Sequence, residues 1–435
     1  HGFSSNAMNP SHTNIQTVAA GVYSLVITVG GTSSAPVTTT VVVNPNPTIT
    51  ATASPNPICN GASSTLTGSS SIAGATYVWS TGATTNPITV SPTSTTTYTV
   101  TGTVAGCTGT GTVQVTLYPV PTANSETNLT YCAGVAVPAN GLTGTPAGVT
   151  FNWTNSNTAI GLGASGTGVT SIPAFTATNT TTAPITATIT VTPVANGCLG
   201  TPITYTITIN PTPVATAETN QTYCNGVAVA ANALAGTPTG VTFNWTNSNT
   251  AIGLGASGTG VTSIPGFTAT NTTTAPITAT ITITPVANGC TGTPITYTIT
   301  VNPTPVVAAE APQTYCAGAA VAINTLSGTP AGVSFGWTNS NTAIGLGASG
   351  TGNIPAFTAT NTTTAPITGT VTITPSANGC TGTPITYVIT VNPTPVVAAE
   401  APQTYCAGEA VAINTLSGTP AGVSFGWTNS NTAIG

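Results

Sequence analysis

Alternating apolar and polar positions run through most of this chain. In residues 149–154, Val, Phe and Trp alternate with Thr and Asn, and in residues 185–191 and 203–209 Ile, Ala, Val or Tyr alternate with Thr. A period of two residues is typical of a half-buried strand, and the branched Cβ of Thr suits the exposed side of a pleated sheet. No stretch shows a convincing helical period. The pattern therefore predicts an all-β protein.

The strand pattern recurs as a tandem repeat, of which residues 214–305 are one complete copy. The Tyr-Cys cysteines of successive copies lie 90–92 residues apart, which indicates an array of similar domains. Since both terminal segments have the pattern of partial modules, we expect an internal piece of a longer chain. The predicted segments are the C-terminal part of a truncated module (1–47), a small module (48–121), repeats 1, 2 and 3 (122–213, 214–305 and 306–395) and the N-terminal part of repeat 4 (396–435).

Each complete module has the order cysteine, Trp, cysteine, as in Cys59, Trp79 and Cys107 of the small module. In the repeats, an Asn-Gly-Cys-x-Gly-Thr-Pro segment separates the last two long strands. This turn chemistry predicts an antiparallel hairpin. The order and the strand pattern predict immunoglobulin-like β-sandwiches, with an added strand or hairpin near residues 160–182 in the large repeats.

Charge is almost missing from the composition. The chain has no Lys, Arg or Asp, five Glu and two His, for a formal charge of −5. Without basic residues it has nothing to neutralise phosphate, so nucleic acids and acidic membrane surfaces are poor partners. No run of 18 apolar residues is present, and no membrane insertion is predicted. Nine cysteines favour an oxidising, extracellular compartment.

Four disulfides are predicted, each inside one module. A competing pairing would join Cys198 to Cys224 across a linker. We expect the turn that holds Cys198 at the entry end of its module, because the final strand leaves at the opposite end. Cys132 follows the entry linker and is expected at that same end, whereas a strand of roughly 23 Å separates Cys224 from Cys198. A disulfide needs Cα atoms within about 7 Å. The predicted pairs are Cys59–Cys107, Cys132–Cys198, Cys224–Cys290 and Cys316–Cys380.

Few other motifs point to chemistry. The segment 161–166 matches G-x-G-x-x-G, but no helix and no nearby acidic residue follows, so a Gly-rich strand connection is the better interpretation. Without Asp or Lys, a Ser-His-Asp triad and a lysine Schiff base are excluded. The cysteine spacing is unlike that of zinc sites. We predict no catalytic residues, no cofactor and no metal.

Three weaker signals remain open. His1 and His12 could clamp copper, as in oxidative polysaccharide-cleaving enzymes, if His1 were a processed terminus; an ordinary exposed pair is the alternative. Sequons such as those at Asn128, Asn179 and Asn271 permit glycosylation. Four glutamates follow the linkers and are interpreted as solvated turn carboxylates, with a hydrogen bond across the joint as the alternative. They are Glu126, Glu218, Glu310 and Glu400.

The recurring order of motifs resembles the PKD-like and immunoglobulin-like repeats of giant cell-surface adhesins of gliding Bacteroidetes-type bacteria. That order is Tyr-Cys-x-Gly, Phe-x-Trp, Asn-Gly-Cys-x-Gly-Thr-Pro and Tyr-x-Ile-Thr-(Ile/Val)-Asn-Pro, and it covers nearly all of residues 48–435. The resemblance implies a secreted surface protein of many domains, exported by a type IX route. Typical PKD domains have an Asp-containing stretch where this chain has residues 154–157, Thr-Asn-Ser-Asn, which argues against calcium.

Three classes of function compete. A structural stalk or filament predicts near-identical repeats without a unique site, which is what the sequence has, and it is our first choice. In this reading the repeats hold a binding tip away from the cell surface. The alternative is that the repeats themselves bind carbohydrate or surface ligands. An enzyme ranks last, since no polar cluster stands outside the repeat. Expected partners are the neighbouring repeats, other copies of the filament or surface glycans.

Overall fold

The computed structural model describes residues 4–11 and 13–431. It divides into two compact units, one ending at Asn210 and the other beginning at Pro211. Strands dominate both units, which confirms the predicted all-β class. Within the described residues, no helix reaches the length and hydrophobicity that a membrane crossing requires. In residues 4–11 and 13–431, helical structure is confined to four 3-10 turns of three residues each, Thr17–Ala19, Thr158–Ile160, Thr250–Ile252 and Thr342–Ile344.

The first unit begins with two small antiparallel pairs, β1 with β4 and β2 with β3. The small module follows as two three-stranded sheets, in the orders β5-β6-β8 and β10-β9-β7. Leu66, Trp79, Val100 and Val115 are among the buried residues between them. The strands are β1 (Gly21–Leu25), β2 (Thr28–Val29), β3 (Thr32–Ser33), β4 (Val37–Val41), β5 (Ile49–Ser54), β6 (Ser64–Ser70), β7 (Thr76–Trp79), β8 (Ile88–Val90), β9 (Thr96–Val104) and β10 (Cys107–Val115).

Repeat 1 completes this unit and is larger. Its strands are β11 (Thr122–Ala123), β12 (Leu129–Cys132), β13 (Ala136–Val137), β14 (Asn140–Gly141), β15 (Gly144–Thr145), β16 (Thr150–Asn155), β17 (Ser165–Val169), β18 (Ser171–Ile172), β19 (Phe175–Thr176), β20 (Ile185–Ala195), β21 (Cys198–Leu199) and β22 (Ile203–Asn210). The main sheet has the order β12-β22-β20-β16-β17, with β21 against the end of β20. Three two-stranded pairs, β11-β15, β13-β19 and β14-β18, complete the repeat.

The two-residue period decides which face of the main sheet is buried. On β20, Ala187, Ile189 and Val191 are fully buried, whereas the threonines between them face outward. Phe151 and Trp153 of β16 add their rings to the same core. The predicted hairpin forms as well: β20 and β22 are antiparallel, and the turn after β20 has Asn196 at φ 50° and Gly197 at φ 78°. Asn and Gly are the residues that tolerate this left-handed backbone.

One strand of the main sheet runs against the antiparallel trend. β12 is parallel to β22, and its last residue, Cys132, lies opposite Asn210, the last residue of β22. A parallel neighbour points the same way along the sheet, so β12 carries Cys132 to the end at which the chain leaves the repeat. The cysteine of the Asn-Gly-Cys turn lies at the other end of β22. This arrangement decides the disulfide connectivity.

The main sheets of repeat 2 and repeat 3 in the second unit have the same order and the same parallel strand, and in repeat 3 one of the three two-stranded pairs is reduced to a single bridge between Asn324 and Ile354. The strands are β23 (Val214–Ala215), β24 (Gln221–Cys224), β25 (Ala228–Val229), β26 (Asn232–Ala233), β27 (Gly236–Thr237), β28 (Thr242–Asn247), β29 (Ser257–Val261), β30 (Ser263–Ile264), β31 (Phe267–Thr268), β32 (Ile277–Ala287), β33 (Cys290–Thr291), β34 (Ile295–Asn302), β35 (Val306–Val307), β36 (Gln313–Cys316), β37 (Ala320–Val321), β38 (Gly328–Thr329), β39 (Ser334–Asn339), β40 (Ser349–Thr351), β41 (Phe357–Thr358), β42 (Ile367–Ala377), β43 (Cys380–Thr381) and β44 (Ile385–Asn392).

Repeat 4 contributes one short pair, β45 (Val396–Val397) with β46 (Gly418–Thr419). The rest of its described residues carry no strand. Trp427, the equivalent of the buried Trp337 of repeat 3, is exposed.

Candidate functional site

The disulfides join neighbouring modules rather than the two halves of one module. Cys59 of the small module bonds to Cys198 of repeat 1, and the Cα atoms are 5.5 Å apart. Cys224 of repeat 2 bonds to Cys380 of repeat 3, with Cα atoms 5.6 Å apart. In both cases the early cysteine of one module meets the Asn-Gly-Cys turn of the next. The candidate functional site is therefore the joint between modules.

The predicted pairings within modules were wrong. In each predicted pair, at least one cysteine is bonded to a different partner or is a free thiol. The pairs were Cys59–Cys107, Cys132–Cys198, Cys224–Cys290 and Cys316–Cys380. The competing pairing of Cys198 with Cys224 does not form either. Cys132 and Cys290 are also disulfide-bonded, while Cys107, Cys316 and Cys406 are free thiols.

The error has a physical cause in the parallel strand. The prediction placed the Asn-Gly-Cys turn correctly at the entry end of its module, but it placed the early cysteine there too. Cys132 and Cys224 in fact lie at the exit ends, beside Asn210 and Asn302. An eight-residue strand of roughly 26 Å separates each from its own module's turn, which is too far for a bond.

Beside each disulfide, the linker passes close to a glycine of the turn. A Cβ placed on Gly200 would lie 1.8 Å from the Pro121 carbonyl oxygen, and one on Gly382 would lie 1.8 Å from that of Pro305. No side chain fits such a gap, so this close approach of linker and turn requires the Gly of Asn-Gly-Cys-x-Gly. The same joint holds a side-chain contact, because the Asn302 amide nitrogen donates to the Asn378 carbonyl at 3.1 Å.

The joint before the small module shows the same packing without the bond. The Asn44 amide nitrogen donates to the Ala105 carbonyl at 3.3 Å, and Gly109 faces the Pro47 carbonyl oxygen. The Cys107 thiol donates to the Asn44 carbonyl at 3.6 Å. Cys107 thus occupies the position of Cys198 and Cys380, and residues 1–58 contain no cysteine to meet it.

The four linker-proximal glutamates bind side chains of their own repeats. Glu126 Oε2 accepts from the Asn140 amide at 3.1 Å, and Glu310 accepts from Asn324 at 3.0 Å. Donor and acceptor belong to the same repeat, so this contact is not the hydrogen bond across the joint that was the alternative interpretation. The neighbouring tyrosine of each repeat is buried, which raises the pKa of Tyr297 to about 12, with Asn232 opposing the effect and Glu218 adding to it. These groups fix a loop against the sheet.

Two of the sequon asparagines and the Gly-rich segment make structural contacts. The amide nitrogen of Asn271, which is 3% exposed, donates to the Ala275 and Val301 carbonyls. Asn179 makes the same contacts in repeat 1. These asparagines hold a loop to the final strand, a role that the sequence motif did not suggest. The 161–166 segment is the expected strand connection, in which Gly161 at φ 97° ends a 3-10 turn and β17 follows.

The part of the chain that the structure describes contains no candidate metal site. No set of three or more His, Cys or Glu side chains comes together there. His1 and His12, the copper candidates, lie outside the described residues. Trp79, Trp153, Trp245 and Trp337 are all buried, so the complete modules present no tryptophan as a platform for a sugar ring.

Fold and joints together define a tandem array of immunoglobulin-like β-sandwich domains. A sequence profile of the PKD-like domain matches residues 129–213, 221–305 and 313–395, more than half of the chain. The chain therefore belongs to the PKD-like domain family. No curated protein matches it in sequence.

Several solved structures resemble the chain at a distance. The titin I-band fragment I67–I69 is 11% identical, covers 64% of this chain and 99% of the fragment, and has a TM-score of 0.41. Sidekick-1 immunoglobulin domains 1–5 are 12% identical over 87% of each chain, with a TM-score of 0.26. Protocadherin Gamma B2 cadherin domains 3–6 are 11% identical over 79% of this chain and 99% of theirs, with a TM-score of 0.27. Likenesses at these identities and scores say nothing about ligand or activity.

Proposed function

We propose that this chain is a stalk segment of a secreted cell-surface adhesin, in which PKD-like modules act as a semi-rigid spacer. The observation that carries the proposal is the joint. Each described disulfide fastens one module to the next, and the linker carbonyl packs against a glycine of the following module. Prolines such as Pro303 and Pro305 fix φ and donate no hydrogen bond, which stiffens the linker further.

The chemistry of the surface supports the same role. The chain has no Lys or Arg and its outward strand faces are rich in threonine, which gives a neutral, hydroxylated exterior. Disulfides persist in oxidising environments outside the cytoplasm. The resemblance to adhesins of gliding bacteria supports attachment at the cell surface and a part in gliding motility. In this proposal the binding tip belongs to another part of the protein, and neighbouring filaments or surface glycans are its partners.

Small-angle X-ray scattering of the oxidised chain tests the spacer directly. A sandwich with strands of seven to ten residues is about 40 Å long, so four complete modules in a row give a radius of gyration of roughly 45 Å. A compact globule of this length would have a radius of about 22 Å. The spacer predicts the larger value and beads about 40 Å apart in electron micrographs. A radius near that of the globule would refute it.

A variant set shows whether the joints cause the stiffness. Cys224→Ser opens the bond between repeats 2 and 3, and we expect a broader distribution of distances between probes placed on the two repeats. Cys316→Ser, which removes a free thiol of repeat 3, is the matched control and should change nothing. Equal distributions in both variants would show that the linker alone sets the geometry.

A further inference from the structure

We propose that the cross-joint disulfides carry tension past the folded modules, so that the part of the chain from Cys59 to Cys380 is a nearly inextensible tether as well as a spacer. The proposal deepens the spacer role and rests on it, because it describes what the same joints do when the stalk is pulled. The observation that supports the proposal is the connectivity of the two described disulfides, Cys59–Cys198 and Cys224–Cys380.

The shortest covalent route along the chain leaves out most of the residues. From Cys59 it crosses to Cys198, a jump of 139 residues, and from Cys224 it crosses to Cys380, a jump of 156 residues. Between the jumps only the backbone from 198 to 224 remains in the route. This connecting strip contains the final strand of repeat 1, the Asn-Pro-Thr-Pro linker and the first strands of repeat 2. Any additional disulfide, such as those at Cys132 and Cys290, can shorten this route but cannot lengthen it.

The connecting strip is also well fixed. β22 pairs with β20 on one side and with β12 on the other, and β24 pairs with β34. Ladder hydrogen bonds lie across the strands, so a pull along a strand loads many of them together. Two side chains strengthen the edge, since Thr206 N donates to Asn128 Oδ1 and Thr298 N donates to Asn220 Oδ1, each at 2.9 Å. Tension along the connecting strip therefore acts on strands that are hydrogen-bonded to their neighbours in the sheet.

The geometry gives a quantitative expectation. At about 3.5 Å per residue, the 26 peptide steps from 198 to 224 allow about 90 Å of backbone between Cys59 and Cys380. With every disulfide reduced, the same two residues can separate by about 1,100 Å, roughly twelve times more. The modules could all unfold without lengthening the oxidised tether by more than its short connecting strips. This differs from stalks whose modules lengthen one by one.

Single-molecule force extension of the full chain, with handles fused at both termini, tests the proposal. We expect the contour length at full unfolding to rise by about 1,000 Å after treatment with a phosphine reductant, which converts each disulfide into two thiols with two electrons and two protons. An oxidised chain that already extends to the reduced length would overturn the proposal. So would a reduced chain that unfolds completely yet gains no length.

Substitutions assign the effect to particular bonds. Cys59→Ser should lengthen the oxidised tether by up to about 490 Å, and Cys224→Ser by up to about 550 Å. Cys107→Ser, which removes a thiol that forms no disulfide, is the matched control and should leave the length unchanged. If a serine variant fails to fold, reduction of the folded original chain still tests the summed gain in length. A compact chain in scattering with a short oxidised contour length would refute the spacer and leave the tether intact.

Discussion

Residues 306–341 and the described residues 396–431 have nearly the same sequence and different structures. They differ only at Ala319 and its equivalent Glu409. In repeat 3 the early half forms strands around Trp337, which is 5% exposed, whereas Trp427 of repeat 4 is 78% exposed. Among the described residues of repeat 4, only the local pair at the start, β45 with β46, forms as β35 with β38 does in repeat 3. The difference teaches that the early half of a repeat does not organise itself.

The strands that organise the early half come later in the chain. In repeat 3, β39 pairs with β42 over six residue pairs, and β36 pairs in parallel with β44. Both partners lie after residue 345 and have no counterpart in residues 396–431. The local pair needs only nearby residues, and it is what survives. Each repeat is therefore one cooperative unit whose core closes when its last two long strands arrive.

The largest expected effect concerns the tryptophan that is buried in repeat 3 and exposed in repeat 4. Trp337→Ala should destabilise repeat 3 by about 3–5 kcal/mol, because the change removes a buried ring and leaves a cavity. The same substitution at Trp427 should change the free energy of unfolding by less than about 0.5 kcal/mol, as expected for an exposed side chain. Urea unfolding followed by circular dichroism measures both. Equal losses in the two variants would contradict the account.

A second, smaller effect concerns the joint between repeat 2 and repeat 3. Gly382→Ala would place its Cβ 1.8 Å from the Pro305 carbonyl oxygen, so the linker or the turn must move. We expect a loss of about 2 kcal/mol, typical of overpacking. Gly347→Ala is the matched control, since nothing lies within 4 Å of that position. Thermal unfolding of the two variants gives the comparison, and a harmless Gly382→Ala would mean that the close approach is not required.

An alkaline titration gives a third effect, in the late half of repeat 2. Burial raises the pKa of Tyr297 to about 12, while the unfolded chain titrates near 10. The folded state favours the neutral phenol, so the stability is complete below pH 10 and falls as the pH rises towards 12. The loss should be on the order of 2 kcal/mol at pH 12. With the free thiols alkylated beforehand, Tyr297→Phe should reduce this loss of stability between pH 10 and 12. An unchanged loss in the variant would show that groups other than Tyr297 cause it.

The smallest effect concerns the one position at which the early halves of repeats 3 and 4 differ in sequence. Ala319 is half-buried at the edge of the repeat 3 core, and Glu409 replaces it in repeat 4. If pairing with the late strands, and not the residue at this position, orders the early half, Ala319→Glu should cost about 1 kcal/mol or less, and repeat 3 should keep Trp337 buried. Tryptophan emission reports that burial. An emission shift to that of an exposed ring would make the glutamate the cause instead.

Much of the fold could be predicted from period and turn chemistry. The alternation around Phe151 and Trp153 and the Asn196-Gly197 turn are local signals, and both the strand class and the hairpin follow from them. The direction of β12 is not a local signal. Its four residues pair with β22 about 78 residues later, and nothing in Leu-Thr-Tyr-Cys distinguishes a parallel from an antiparallel neighbour. One unpredictable orientation therefore reversed the position of Cys132 and changed the disulfide assignment.

The glycine two residues after each turn cysteine is a signal in the sequence that the motif analysis did not use. Gly200 recurs two residues after each turn cysteine in the repeats, at Gly292 and Gly382 as well. Turn chemistry explains the Asn-Gly pair before the cysteine but leaves this glycine without a purpose. In the structure its purpose is the approach of the preceding linker. A glycine unexplained by its own turn is thus a hint of contact with a neighbouring module.

Disulfide mapping of the oxidised chain tests the central claim, that covalent bonds join neighbouring modules, most directly. The free thiols are first blocked with a maleimide, and the chain is digested with pepsin at low pH, because it offers trypsin no Lys or Arg and acid suppresses exchange. The account predicts linked peptides that contain Cys59 with Cys198 and Cys224 with Cys380, and blocked Cys107 and Cys316. Linked peptides that contain Cys59 with Cys107 or Cys316 with Cys380 would contradict it.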